Sequence, residues 1–589
     1  MSIVTTLSSL VGDAFEAQGI DRSRGEVVVS QRPDLSQFQC NGALAAAKEV
    51  GRSPRDIADG VAEALRADSR IAMVDVAGPG FLNLSVTDDF LADVVAATAA
   101  DPHFGVSPAE DPKTVIVDYG GPNVAKDLHV GHLRPAVIGE SVKRLHKVAG
   151  HDVRGDVHLG DWGLPMGQLL AELEDRHPEL PYFVEGAVGP FPDTSPVTIE
   201  DLQVLYPEAS ARSKADEVFQ ARAQAATVAL QDGHRGYRAL WSHFRTVSVD
   251  ALRAIYDRLG VEFELWLGEA SVADRVDGMV EKLLAEGHAY ESDGAIVIDV
   301  SEPTDKKELP PLMLRNSRGG STYAVTDLAT IQERVEDFGA TDIVYVVDLR
   351  QSLHFEQVFR AARRTGMAPE RSVHMTHAGN GTVNGPDGKP FKTRDGSLPR
   401  LGALLDDVTE LAMRRLDENG LAAGFPPEER AEIARLVGLG ALKFGELSNH
   451  RTTNYVFDLE RFTLLQGRTG PYLQYVAVRT RSVLAKAADA GFVPGALIAP
   501  THDAERALAL VLLQWPEIVA RSLEGFAPNT VAEFAYEVAG AFNQFYDACH
   551  ILSEPNPAVR DSWLALVDLT HRLLVEVLDV LTIEVPERM

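Results

Sequence analysis

The stretch Val115-Ile-Val-Asp-Tyr-Gly-Gly-Pro-Asn-Val-Ala-Lys-Asp-Leu-His129-Val-Gly131-His132-Leu-Arg134 reads as a strand, a broken loop and the first turn of a helix. The apolar run Val115 to Val117 makes the strand, and Gly120, Gly121 and Pro122 close it. Val137, Ile138, Val142, Leu145 and Val148 recur at helical spacing, with Gly150 placed to stop the helix. A strand feeding a helix N-terminus collects free backbone N–H groups and the positive end of the helix dipole, and both favour phosphate. His129 and His132 stand in that first turn. Two imidazoles there can donate to phosphoryl oxygens as charge builds up in a transition state. Gly131 between them leaves backbone open to a flat base. Two histidines could also bind metal, but no carboxylate or thiol cluster lies nearby at ligand spacing, so neither zinc nor another resident metal is expected.

At 589 residues the chain is too long for one core and should divide into roughly three or four domains. The apolar content is that of an ordinary globular protein, no apolar run approaches a membrane span, and the N-terminus lacks the order of a signal peptide. Cys40 and Cys549 make neither a zinc set nor a disulfide framework. These features predict a cytoplasmic protein without a membrane partner. A net charge of −30 argues against non-specific nucleic-acid binding and leaves shape-specific RNA recognition open, because a local basic path suffices for that.

The linker Asp101–Pro112 closes a first unit. After it, strand 115–118, helix 131–149 and strand 153–158 form one half of a doubly wound sheet. A proline-rich interruption from Pro178 to Pro207, then helices to about residue 285, separate it from a second half. That half resumes near Ser321, with strand Ile343–Val347, a helix from Phe355 and strand Val373–Thr376. Such a sheet binds its ligand at the carboxyl ends of the strands, between the halves. Next comes a loop rich in glycine, asparagine and aspartate, Ala378 to Gly396, whose charged part by itself reads as a solvated turn. The remainder is helical. Tyr472, Tyr475 and Arg479 fall on one helical face, either a core stripe or a stacking platform for unpaired bases.

Pro122-Asn-Val-Ala-Lys-Asp-Leu-His-Val-Gly-His-Leu-Arg134 resembles the signature of arginyl-tRNA synthetases, a class I aminoacyl-tRNA synthetase family. The resemblance extends from residue 37 to the end of the chain. It implies a multidomain α/β and α protein: a Rossmann-like parallel-sheet catalytic domain with an inserted domain, an α+β N-terminal domain and an all-helical anticodon-binding bundle. The expected bounds are 1–105 for the N-terminal tRNA-elbow-binding domain, 106–400 for the catalytic domain with its insertion at about 170–320, 401–465 for a helical connection and 466–589 for the bundle.

The resemblance also implies roles. His129, Gly131 and His132 would bind ATP, together with Phe391, Lys392 and Thr393 of the second signature. There Thr393 stands in place of the usual lysine, and Lys126 would supply the missing charge. His129, His132, Lys126, Lys392 and Arg394 would form the catalytic set. Asp118 and Asn123 would hold arginine's α-amino group, and Tyr323, Asp327 and Gln351 its guanidinium. A carboxylate matches the guanidinium fork as a bidentate acceptor, although Asp327 could also serve the start of its helix. Phe81 and Asn83 would meet a D-loop base, or Phe81 would be core at a turn. Tyr472, Tyr475, Arg479 and the terminal Met589 would face the anticodon. Gly120, Gly121 and Pro135 depart from the family's usual residues. The implied activity is arginine–tRNA ligation by a monomer, from L-arginine, ATP with Mg2+ and tRNA(Arg), with tRNA needed before arginine is activated. The alternatives are a paralogue arginylating a non-translational acceptor and a tRNA-binding pseudosynthetase.

Overall fold

The computed structural model describes the chain except residues 1, 31, 33, 34, 185, 318, 386, 387 and 390–398. The chain divides into two compact units. One combines the residues up to Ala109, Val148–Gly150 and Leu464–Met589; the other holds Glu110–Lys147 and His151–Thr463.

The second unit is built on a four-stranded, all-parallel sheet with the order His374–His377, Asp342–Val346, Thr114–Tyr119, Asp152–Asp156. Val115, Ile116, Val117, Ile343 and Val346 are fully buried, as expected for parallel strands covered on both faces. The two halves meet where Thr114–Tyr119 pairs with Asp342–Val346, so the topological switch point lies at the carboxyl ends of these strands. Register sets Asp118 beside Asp156 on one side and beside Tyr345 on the other. The signature helix spans Val130–Val148 and buries Leu133, Val137, Ile138, Val142 and Leu145, the face that the sequence spacing predicts.

Between the halves, helices Leu164–Arg176, Ile199–Ala215, Glu217–Gln231 and Arg235–Leu259 enclose a core that includes Leu169, Leu170, Leu230, Leu240 and Phe244. The expected proline-rich interruption therefore ends at Thr198, not at Pro207. Thr198 and Asp201 form a reciprocal capping box that starts the helix, and Pro207 lies exposed within it. A three-stranded antiparallel sheet, Tyr290–Ser292, Ala295–Ile298 and Leu312–Arg315, precedes the helix Tyr323–Glu336.

In the first unit an antiparallel sheet runs Val27–Val29, Phe38–Cys40, Phe81–Val86, Ile71–Ala77. Leu82, Leu84 and Val86 are fully buried, so the alternate residues Phe81 and Asn83 share the opposite face. The helices Gly470–Asp489, Asp503–Leu512, Trp515–Gly525, Pro528–Ala548 and Pro557–Val580 complete the unit. Arg506 joins them to the sheet region, with Nε 2.7 Å from Asp88 Oδ1 and Nη2 donating to the Val86 carbonyl at 3.0 Å.

Candidate active site

Backbone bonds and buried side chains hold the loop between the first strand and the signature helix. Val124 N donates to the Gly160 carbonyl and Gly160 N to the Pro122 carbonyl, each at 3.1 Å, while Ala125 N donates to Ser248 Oγ at 3.0 Å. Gly120 has φ +87°, and a β-carbon there would lie 2.8 Å from the Tyr256 hydroxyl, which itself donates to the Gly120 carbonyl. A buried tyrosine thus fills the space that a side chain at Gly120 would need.

The two histidines are fixed by their own loop. The His129 backbone N–H donates to His132 Nδ1 at 3.1 Å, and the Gly131 N–H donates to His129 Nδ1 at 3.0 Å. Each accepting Nδ1 assigns the ring proton of the neutral form to Nε2, so both rings carry an Nε2–H donor. The ring centroids stand 4.0 Å apart. Burial, then the neighbouring His129 and Lys126, push His132 down to about 3; burial and Lys126 lower His129 as well. Near neutral pH the pair therefore consists of two uncharged hydrogen-bond donors. Gly131 is required for this arrangement, since a β-carbon there would meet the His129 ring at 2.8 Å.

His132 lines a cleft of about 630 Å³ at the switch point, and Asp118, Asn123, Tyr323, Asp327 and Gln351 line it too. All five residues assigned to the amino acid from sequence thus come together with one signature histidine. Asp327 lies 2.6 Å from His354 Nε2, and the His354 ring is 5.0 Å from that of the exposed Tyr323. The cleft contains two acidic sets. In the first, Asp118 shares the buried Arg334 with Asp156; burial raises the Asp118 carboxyl against Arg334's pull. The second is Asp327 with Glu269, whose carboxyl is raised by burial and further by Asp161 and Asp327, with His158 opposing.

Sequence reasoning missed Glu269, His354, Arg334 and Asp156. His354 falls one helical turn after Gln351, and Arg334 two turns after Asp327, so both were within reach of a spacing argument; Glu269 and Asp156 carry no local signal. Asp118, Asp156 and His158 are also the one group of side chains, among the described residues, close enough to share an ion, and Arg334 is bound to both of its carboxylates.

A neighbouring cleft of about 730 Å³ is lined by Lys126, His129, Tyr206, Lys214 and Arg400. The Lys126 ammonium lies 4.7 Å from the Tyr206 ring centroid. Phe391, Lys392, Thr393 and Arg394 lie outside the described residues. Just beyond them, Val130 N donates to the Pro399 carbonyl at 3.0 Å and Leu401 N to the Leu128 carbonyl at 2.8 Å, which ties the return of the chain to the signature loop.

In the first unit, Tyr472, Tyr475 and Arg479 are half-buried on one helix face and form a bonded set. Arg479 donates to the Tyr475 hydroxyl at 3.1 Å and to Asn543 Oδ1 at 2.9 Å, and Asn543 Nδ2 donates to the Tyr472 hydroxyl at 2.8 Å. Tyr546, 38% exposed, adds a ring 5.6 Å from the guanidinium. Arg481 fixes the chain end near Met589 by donating to the carbonyls of Pro586 and Glu587 at 3.2 and 2.8 Å. Asn83 is buried on its strand and accepts from Gln39 Nε2 at 3.3 Å, and Phe81 is half-buried beside it.

Residues 95–459 match the family described as tRNA synthetases class I (R), catalytic domain. The chain belongs to the arginyl-tRNA synthetase family. Residues 2–86 match the arginyl tRNA synthetase N terminal domain and residues 473–589 the DALR anticodon binding domain. Relatives of this synthetase include the arginine–tRNA ligase of Hyphomonas neptunium, 48% identical over 590 residues, and that of Alkaliphilus oremlandii, 45% identical over 588 residues; each alignment covers 100% of both chains. Solved structures that share its fold include two arginyl-tRNA synthetases. The arginyl-tRNA synthetase of Plasmodium falciparum has a TM-score of 0.81 at 22% identity, covering 100% of this chain and 99% of that one. The Thermus thermophilus enzyme has a TM-score of 0.77 at 23% identity, covering 100% of both.

Proposed function

We propose that this chain is an arginine–tRNA ligase that activates L-arginine with ATP and esterifies tRNA(Arg) at its terminal adenosine. The observation that carries this reading is the pairing of two acidic sets with a neutral donor histidine in one cleft. In one set two carboxylates, Asp118 and Asp156, share the single guanidinium of Arg334, and in the other Asp327 and Glu269 face the same cleft, so it offers acidic acceptors in two places. Arginine brings two cations, an α-ammonium and a guanidinium. Asp118 and Asn123 take the first; Asp327, Glu269, Tyr323 and Gln351 frame the second.

The arginine carboxylate oxygen attacks the α-phosphorus of ATP, which is taken up with Mg2+. The P–O bond to the β-phosphate breaks and pyrophosphate leaves with the electron pair. The Nε2–H donors of His129 and His132 stabilise the five-coordinate phosphorus without themselves moving a proton. Lys126, Lys392 and Arg394 neutralise the departing pyrophosphate, and Phe391, Lys392 and Thr393 complete the ATP site with Gly131. The 2′-hydroxyl of the terminal adenosine then attacks the adenylate carbonyl and AMP leaves.

In the same proposal Phe81 and Asn83 contact the tRNA elbow, and Tyr472, Tyr475, Arg479 and Met589 read the anticodon. The proposed division is 1–105, 106–400, 401–465 and 466–589; the matched ranges 2–86 and 473–589 fall within its first and last parts, while the match over 95–459 runs through both middle parts. The enzyme acts as a cytoplasmic monomer; among the described residues no helix is long and apolar enough to cross a membrane. Arginine-dependent ATP–pyrophosphate exchange tests the reading. Exchange specific for arginine is expected, and its absence with tRNA(Arg) present would favour a tRNA-binding pseudosynthetase.

A further inference from the structure

One row of side chains crosses the carboxyl end of the parallel sheet, a residue from each strand: Asp156, Asp118, Tyr345 and His377 stand in register. Arg334, fully buried, meets three of the four. Its Nη2 lies 2.6 Å from Asp118 Oδ2 and 2.6 Å from Asp156 Oδ2, and its guanidinium carbon stands 5.2 Å from the Tyr345 ring centroid. Nε and Nη1 of Arg334 are buried without hydrogen-bond partners.

A buried charge cluster is a poor way to stabilise a sheet, because desolvation offsets the attraction and apolar side chains of the same size often do as well. Its position suggests another use. Asp118 and Tyr345 line the amino-acid cleft. Two carboxylates against one guanidinium leave one negative charge over, and Arg334 engages Asp118 through Oδ2, so Oδ1 takes no part in that ion pair. Arg334 is also seven residues after Asp327 on the helix Tyr323–Glu336, about two turns along the same face.

We infer that Arg334 and Asp156 are positioning residues for the α-amino subsite: they tie Asp118 to the helix that carries Asp327 and leave the cluster one net negative charge, the complement of a single ammonium. The inference rests on the proposed arginine-activating function.

The test uses Asp156→Asn and Arg334→Lys in the full-length enzyme, because removing the buried guanidinium outright could prevent folding. Arginine KM and ATP KM are measured by exchange, alongside inhibition by 5-guanidinopentanoate, which is arginine without its α-amino group. For Asp156→Asn the arginine KM is expected to rise about tenfold, the weakening expected from one charged contact. The ATP KM and the inhibition constant should stay within about twofold, so discrimination between arginine and the analogue falls about tenfold. Arg334→Lys should shift it in the same direction. If the arginine and analogue constants move together, or neither moves, or both variants fail to fold, the pair has a purely structural role and the inference is wrong. Inactivity of the wild-type enzyme towards arginine would instead overturn the proposed function.

Discussion

The signature histidines show how a motif becomes a device. Both accept backbone N–H groups at Nδ1, and His132 is held down to about 3, so they act as neutral donors. A histidine whose folded value is depressed costs stability where the unfolded chain can take up a proton and the folded one cannot. Stability should therefore fall as pH drops from about 6.5 towards 3. His132→Gln should melt with a shallower pH dependence over that window; equal slopes for variant and wild type would show that His132 is protonated in the fold. Asp327→Asn keeps shape and removes charge. It should lower kcat/KM for arginine by an amount on the order of 2–5 kcal/mol, the cost of removing one partner from a desolvated charge pair, with the KM for ATP unchanged. Equal loss for both substrates would make Asp327 a support for His354. Lys126→Ala should slow adenylate formation about a hundredfold, as expected for losing one preorganised charge, and Thr393→Lys should restore part of it. Activation that survives Lys126→Ala would move the phosphate charge to Lys392 or Arg394. The motif residues were legible because their spacing is local. Asp156 and Glu269 were not, since only the strand register and the chain's return bring them to Asp118 and Asp327; Arg334 shares a helix with Asp327, but its bond to Asp118 crosses 216 residues of chain.

At the scale of elements, apolar runs and periodicity place the four parallel strands and the signature helix to within a residue or two. The helix through Pro207 was obscured because proline density outweighed the Thr198–Asp201 cap in the reading. The helix Gly470–Asp489 bears the anticodon prediction. Tyr475 is bonded to Arg479 and Tyr472 to Asn543, so these half-buried rings share one hydrogen-bonded face. Tyr475→Ala should weaken use of tRNA by roughly 1–3 kcal/mol through lost stacking. On a tRNA already altered in its anticodon the deficit should shrink. The same deficit on both tRNAs would mean that Tyr475 supports the bundle.

For the whole molecule, composition argues only against non-specific binding: a net charge of −30 coexists with a cleft that gathers Lys126, Lys214 and Arg400 around His129. The candidate amino-acid cleft lies in one compact unit, while both groups of residues proposed to meet tRNA lie in the other. The proposed function thus assigns arginine activation to one unit and tRNA recognition to the other. The most direct measurement is ATP–pyrophosphate exchange with arginine, with and without tRNA(Arg). The account predicts exchange that depends on arginine and appears only when tRNA(Arg) is present. Robust exchange without tRNA would contradict the predicted coupling, and no exchange with either would contradict the ligase itself.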